Sequence, residues 1–334
     1  MDPLEGEASS PVAYEPVSVK DVLVEMKDTA ELLIDLSYSA VLHRNAGLAE
    51  EVLRLEERMD VLEMRARMSL LMAARSPDDA ERLAPVLSIV AATDGISDAA
   101  GDIAKIVLED IRVPEAMRAA LPEAVETLVR GSVEADSPHA GRTLKRIDLE
   151  SKTGVRVIAL RRGSEWLLNP GPTTRIEAED VALLRGPEGA IGEVYREMTG
   201  EAYEPFEPET PAVADLERAV DTIVHMKNLS ELAVDLAYSS VLFDSEALAK
   251  EVSALESRFE AWVLRAAAGA EDPVSLRGLI HLGTSTEMIS DAAVEISEGV
   301  LRDIEVHPVV GMAVQESDEI ITRIEVAPES ALDG

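Results

Sequence analysis

The chain has 334 residues and no cysteine. Disulfides and thiolate metal centres are therefore excluded, and any metal site must be built from carboxylates or imidazoles. Aromatic residues make up only 3% of the chain, so its core must be packed from Leu, Ile, Val, Met and Ala. Lysine is scarce, seven against 24 arginines, and the basic residues form no cluster. Nucleic acid is excluded as a partner, because phosphate binding needs clustered Lys or Arg. No run of about 18 uncharged apolar residues occurs, so no membrane span is expected. The opening MDPLEGEASSPVAYEP is acidic and proline-rich and lacks the basic and apolar regions of a secretory signal. It is expected to be a mobile tail (1–16), and the location to be the cytoplasm. His43, His139, His225, His281 and His307 show no metal or triad spacing, and neither a P-loop nor a Gly-x-Ser-x-Gly turn occurs. No enzyme is expected.

What the chain has is acid. Its formal net charge is −34. The acids are spread along the sequence rather than run together, which suits a surface adapted to concentrated salt, where self-repulsion is screened. An apolar content of 46% is ample for a folded core.

The chain also contains itself twice. Met26 to Val52 returns as Met226 to Val252 at an offset of 200, and Ile96 to Ala100 returns as Ile289 to Ala293 at an offset of 193. The second register continues to the last residues, where Arg130 and Gly141 meet Arg323 and Gly334. Such self-similarity decides the domain count before any fold is argued. Each copy shows helical periodicity over three stretches. In the first copy these are Val17 to His43, Leu48 to Ala74, and a third from Ser76-Pro77 to about Asp110. Ser76, Pro77, Asp78 and Asp79 supply an N-cap, a first-turn proline and first-turn acids. In the second copy they are about Val213 to Phe243, Ala247 to Ala268, and Pro273 to Arg302. Short loops between long amphipathic helices predict antiparallel bundles.

The segment between the copies changes period. Gly154 to Arg162 is a β-branched run apolar on both faces, Ser164 to Pro172 a short strand with a Pro-Gly turn, and Val181 to Leu184 a last strand. Leu128 to Val133 offers a first strand and Gly141 to Lys152 a short helix, which predicts a β-α-β-β-β domain. Such a small unit is marginal alone, and a homodimer through it is expected.

Ser137 to Glu188, with its Ser-Pro-x-x-Gly-x-Thr-Leu opening, Gly-Val-x-Val-Ile-Ala-x-Arg-Arg-Gly strand and Asn-Pro turn, resembles the TrkA-C (RCK-C) domain of potassium-transport regulators. The flanking repeats resemble the PhoU family of three-helix bundles, and the order looks like archaeal proteins associated with potassium channels and transporters. The implied fold is mainly α with a small α+β domain, two PhoU-like bundles flanking the TrkA-C domain. The expected divisions are bundle 1 at 17–112, the TrkA-C domain with its entry helix at 113–200, a linker at 201–212, bundle 2 at 213–304, and at 305–334 a helix and strand equivalent to the TrkA-C entry. The terminal strand, Glu319 to Val326, is expected to pair with a sheet edge of this chain or a partner.

The PhoU resemblance implies metal-binding acid pairs four apart on the first and third helices of each bundle. They fall at Glu31 and Asp35, Asp94 and Asp98, Glu231 and Asp235, and Glu287 and Asp291. Residues four apart share a helix face, and carboxylates so placed suit Mg²⁺, Ca²⁺ or a transition metal. The bland alternative is a set of solvated surface acids. Tyr38 and Tyr238, one turn beyond, could bond Asp35 and Asp235 or simply fill the core. The TrkA-C resemblance implies a small ligand such as a cyclic dinucleotide or other nucleotide, for which Arg161, Arg162 and Asn169 are the candidates, with Trp166 stacking or packing. The expected function is regulation of cation transport, potassium above others, by a non-enzymatic protein docking on a membrane channel or transporter. Regulation of phosphate transport is the alternative, and a carboxylate-based metal hydrolase lacks an accompanying base.

Overall fold

The structure is a computed structural model describing residues 17–111, 127–203, 215–256 and 273–317. The expected tail, the entry into the middle domain and the terminal strand lie outside the described residues. Helices α1 (Val19–His43), α2 (Ala46–Ala73) and α3 (Pro77–Leu108) build the first bundle. Their starts are set by side chains that accept from first-turn amides lacking a helical partner: Ser18 from Asp21, Asn45 from Leu48 at 3.1 Å, and Ser76 from Asp79 at 3.1 Å. Arg44 ends α1 in the left-handed region at φ 47°, and α2 begins immediately after, antiparallel to it. By length and composition, α3 could cross a membrane. Its apolar residues are instead core: Leu83, Val86, Ile89, Val90, Ile96 and Ile103 are at most 7% exposed.

The middle domain is β1 (Thr127–Ser132), α4 (Leu144–Ile147), α5 (Leu149–Thr153), β2 (Arg156–Arg162), β3 (Glu165–Leu168), β4 (Val181–Gly186) and α6 (Glu188–Thr199). The single short helix expected at Gly141 to Lys152 is split by Asp148, which adopts φ 56°. The four strands form one antiparallel sheet in the order β1-β4-β2-β3. A two-residue loop with Gly163 at φ 61° joins β2 to β3, the position and sign of φ that favour glycine in a tight hairpin.

Both faces of the sheet are covered, as the continuous apolar run predicts. Val129, Val157, Leu160, Ala182 and Leu184 pack under Ile191, Val194 and Met198 of α6. Leu128, Ile158, Ala159, Trp166 and Leu183 face the other way and join the core of the helical bundles. Strict alternation breaks once. A bulge between Val157 and Ala159 puts Ile158 and Ala159 on the same side.

The second copy supplies α7 (Asp215–Leu242), α8 (residues 246–256), α9 (Pro273–Leu301) and then α10 (Pro308–Glu316). The remainder of the expected second helix lies outside the described residues. The two bundles face each other within one chain: α3 lies between α2 and α9, and α1 touches α7 and α10. The tie is reciprocal. The Tyr38 hydroxyl lies 2.6 Å from Thr286 Oγ1, and the Tyr238 hydroxyl 2.8 Å from Thr93 Oγ1. The tyrosines are repeat equivalents, and so are the threonines, so one contact is made twice about an approximate two-fold axis. Both tyrosines are buried, at 0% and 3% exposure. Burial pushes Tyr38 up to about 12 and raises Tyr238 as well. They are thus core residues bonded across the bundle interface.

Candidate metal centre and domain junction

Spacing of four places Glu56 and Asp60 on one face of α2, with Glu63 a turn further on, and α3 presents Asp94, Asp98 and Asp102. Oxygen atoms of Asp60, Asp94 and Asp98 all lie within 4.8 Å of one another. One Asp94 oxygen, Oδ1, is buried without a hydrogen-bond partner. Glu56 lies so close over α3 that a Cβ at Gly101 would collide with its carboxylate. Burial pushes Asp94 up to about 7, with Glu63, Asp98 and Asp60 adding repulsion. Burial lifts Glu56 to about 7 as well, against the pull of Lys105. Glu63 and Asp98 are raised for the same first reason. The donor set fits a hard divalent cation: oxygen ligands only, mutually repelling, one of them unsatisfied.

The other acid pairs are placed differently. Glu31 is paired with Lys27. Asp35 is paired with Arg185 of β4, and with Lys227 of α7 at 2.9 Å. Glu231 takes Lys227 at 2.5 Å. Asp235, Glu287 and Asp291 each have a partner. The structure therefore joins Asp94 and Asp98 to Asp60 of α2, a residue outside the expected set, while Glu31 and Asp35 are held by cations. The signal for Asp60 was present: Glu56-x-x-x-Asp60 repeats the same spacing on the second helix.

A second constellation ties the sheet to the helices. Period two in three strands places Arg130 beyond Leu128, Arg161 beyond Ala159 and Arg185 beyond Leu183, all on the face turned to the bundles. Glu51 of α2 meets Arg130 and Arg161 with its side chain 0% exposed. It accepts from Arg161 Nε at 2.6 Å and Nη2 at 2.7 Å, and from Arg130 Nε at 2.8 Å. Burial alone would raise the Glu51 carboxyl. The hydrogen bonds from Arg161 and Arg130 outweigh it and hold the group below its ordinary range. Arg161 also stands 5.9 Å from the Trp166 ring centroid. Through Asp35, the junction reaches α1, β4 and α7 at once.

The expected ligand residues lie in or beside this junction. Arg161 belongs to Glu51. Arg162 is bidentate to the fully buried Asp180, both bonds at 2.8 Å, and donates to the Arg175 carbonyl at 3.0 Å. Asn169 is half-buried and turns the chain after β3 at φ 44°. Trp166 packs in the core at 8% exposure.

Residues 23–107 match the PhoU domain family, and residues 128–199 match the TrkA-C domain family. The chain carries a PhoU domain followed by a TrkA-C domain. A stretch of 54 residues, 16% of the chain, is 35% identical to the Ktr system potassium uptake protein C of Bacillus subtilis (strain 168). That stretch spans about a quarter of the relative, 24% of its length. The structure of PhoU from Pseudomonas aeruginosa aligns with a TM-score of 0.47 at 15% identity, covering 85% of this chain and 96% of that one. The acidic cluster lies within the PhoU domain, and Glu51 bolts that domain to the TrkA-C sheet.

Proposed function

We propose that this protein is a cytoplasmic, non-enzymatic regulator of cation transport, with potassium as the cation. The observation that carries the reading is the direct seating of a TrkA-C sheet on a PhoU bundle. The potassium uptake protein that shares a stretch with this chain supports the choice of ion. Asp60, Asp94 and Asp98 would hold a divalent cation, which supplies positive charge where three carboxylates repel. Neutralising them draws α2 and α3 together. Because α3 also packs on α9 and α2 carries Glu51, that shift bears on both the second bundle and the sheet. A nucleotide recognised by Arg161 and Arg162 would have to displace Glu51 or Asp180, so its binding would loosen the junction. In this reading the chain homodimerises through its TrkA-C domain, and a membrane channel or transporter is the docking partner.

The test compares potassium and phosphate uptake in native cells with and without the chain. A change in potassium uptake alone supports the reading. A change confined to phosphate replaces it with phosphate regulation. Calorimetric titration with cyclic di-AMP, AMP, ATP, Mg²⁺ and Mn²⁺ then separates nucleotide from metal sensing.

A further inference from the structure

The two copies of the helical repeat are covered unequally. On the first, the sheet is anchored at the α1–α2 end by Glu51 and Asp35, and the Arg130 side chain lies 3.3 Å from where a Cβ at Gly47 would stand. Around these anchors Leu36, Val41, Leu42 and Leu48 are at most 2% exposed, and Glu51 is 0% exposed. Their equivalents in the second copy, Leu236, Val241, Leu242 and Leu248, are only half-buried, and Glu251 is exposed. Leu32 is half-buried, whereas Leu232 is 44% exposed. The second helix pair is not loosely built. Its inner positions Ala249, Val252 and Leu255 are 0%, 0% and 2% exposed, like Ala49, Val52 and Leu55 at 0%. The difference lies on the face that, in the first copy, receives the sheet.

The chemistry of that face is retained. Asp235 stands for Asp35 and Glu251 for Glu51. Apolar residues flank both acids, as in the first copy. An acidic, partly apolar face with this layout complements the arginine-bearing side of a TrkA-C sheet. A second copy of this chain does not offer that side, since its Arg161 and Arg185 are already engaged by its own Glu51 and Asp35.

We infer that the face formed by Leu232, Leu236, Leu248 and Glu251 docks a TrkA-C-type sheet carried by a partner protein. The partner presents an arginine from its β2-equivalent strand to Glu251. The inference goes beyond the regulatory reading and stands whether the transported ion is potassium or phosphate.

The test uses the full chain with a second copy of residues 127–203 tethered by a flexible linker after Gly334, which raises the local concentration of a sheet of the right chemistry. The chain has no cysteine of its own, so an engineered pair reports one contact. Lys250→Cys is combined with Ser164→Cys in the tethered copy. The control is Glu50→Cys with Ser164→Cys in the original domain. An oxidative cross-link at 250 that is lost by about tenfold or more with Glu251→Arg supports the inference. A second variant guards against a tethered copy that does not fold. Glu51→Arg releases the original sheet, and Ser164→Cys with Lys250→Cys then asks whether it moves to the equivalent face of the second copy. Absence of the cross-link in both chains while the control forms, or a cross-link indifferent to Glu251→Arg, overturns the inference.

Discussion

Replacing Glu51 by Gln removes one negative charge from beneath the sheet while keeping the shape of the side chain. Arg161 and Arg130 then lose their counter-charge, and Arg54 keeps only Glu50. Breaking a buried ion pair costs about 3–5 kcal/mol. Arg161, Arg130 and Arg54 keep 14%, 27% and 41% of their side-chain surface exposed, so water recovers part of the loss. Discounted for that exposure, the cost falls to about 2–3 kcal/mol, at or below the lower end of that range. The chain carries its own control. Glu251 is the same residue in the same place of the second repeat, but exposed, and substitution there should change stability by less than about 0.5 kcal/mol. Thermal unfolding in concentrated salt reads the contrast, since exposed pairs are screened and the buried one is not. At about 2–4 °C per kcal/mol for a cooperative unit of this size, Glu51→Gln should lower Tm by roughly 4–12 °C. The Glu51 carboxyl is depressed in the folded state, so its contribution is present above the unfolded carboxylate pKa and fades as pH falls through the folded one. Equal losses from Glu51→Gln and Glu251→Gln would refute the clamp.

The acidic cluster makes the opposite pH prediction. Asp94 and Glu56 are raised to about 7, so the stability they confer is present below the unfolded carboxylate pKa and lost as pH climbs through about 7. Metal-free protein should therefore melt lower at about pH 8 than at about pH 5.5, and Asp94→Asn with Glu56→Gln should flatten that slope. Mg²⁺ or Mn²⁺ at about a hundred times its Kd should restore about 2.7 kcal/mol at the higher pH. Asp60→Asn with Asp94→Asn should abolish that gain in calorimetry, and an undiminished gain would place the cation elsewhere. Tyr38→Phe and Tyr238→Phe should each cost about 1 kcal/mol in urea unfolding, because each removes the same hydroxyl-to-threonine bond. A cost on one side only would deny the two-fold relation between the bundles. Asp180→Asn should release Arg162 and destabilise the TrkA-C domain by about 2 kcal/mol, a loss read by hydrogen exchange at Val181 to Leu184.

Local rules were enough for much of the architecture. Ser76 and Pro77 start α3 where capping chemistry places the start, and the change from helical to strand period marks the sheet. The alternation Leu128-x-Arg130, Ala159-x-Arg161 and Leu183-x-Arg185 is also written in the sequence. What it faces is not, because strand period assigns a side without saying what lies across it. The acid pairs show the same divide. A spacing of four identifies a shared helix face at Glu31, Asp35, Asp94 and Asp98 alike. Only packing brings Asp94 and Asp98 to Asp60 and delivers Lys227 and Arg185 to Asp35, whereas Lys27 reaches Glu31 by the same local spacing of four.

By itself the sequence determined the repeat, the helices and their caps, the strand order along the chain, and the absence of thiol chemistry, because these depend on residue type and on neighbours within a few positions. The tertiary structure decided that the two bundles share one core, that Glu51 is buried beneath Arg130 and Arg161 while Glu251 is left at the surface, and that three carboxylates from two helices converge. Those outcomes depend on contacts between residues far apart in the chain, and on how burial changes the energy of a charge, which no local pattern encodes.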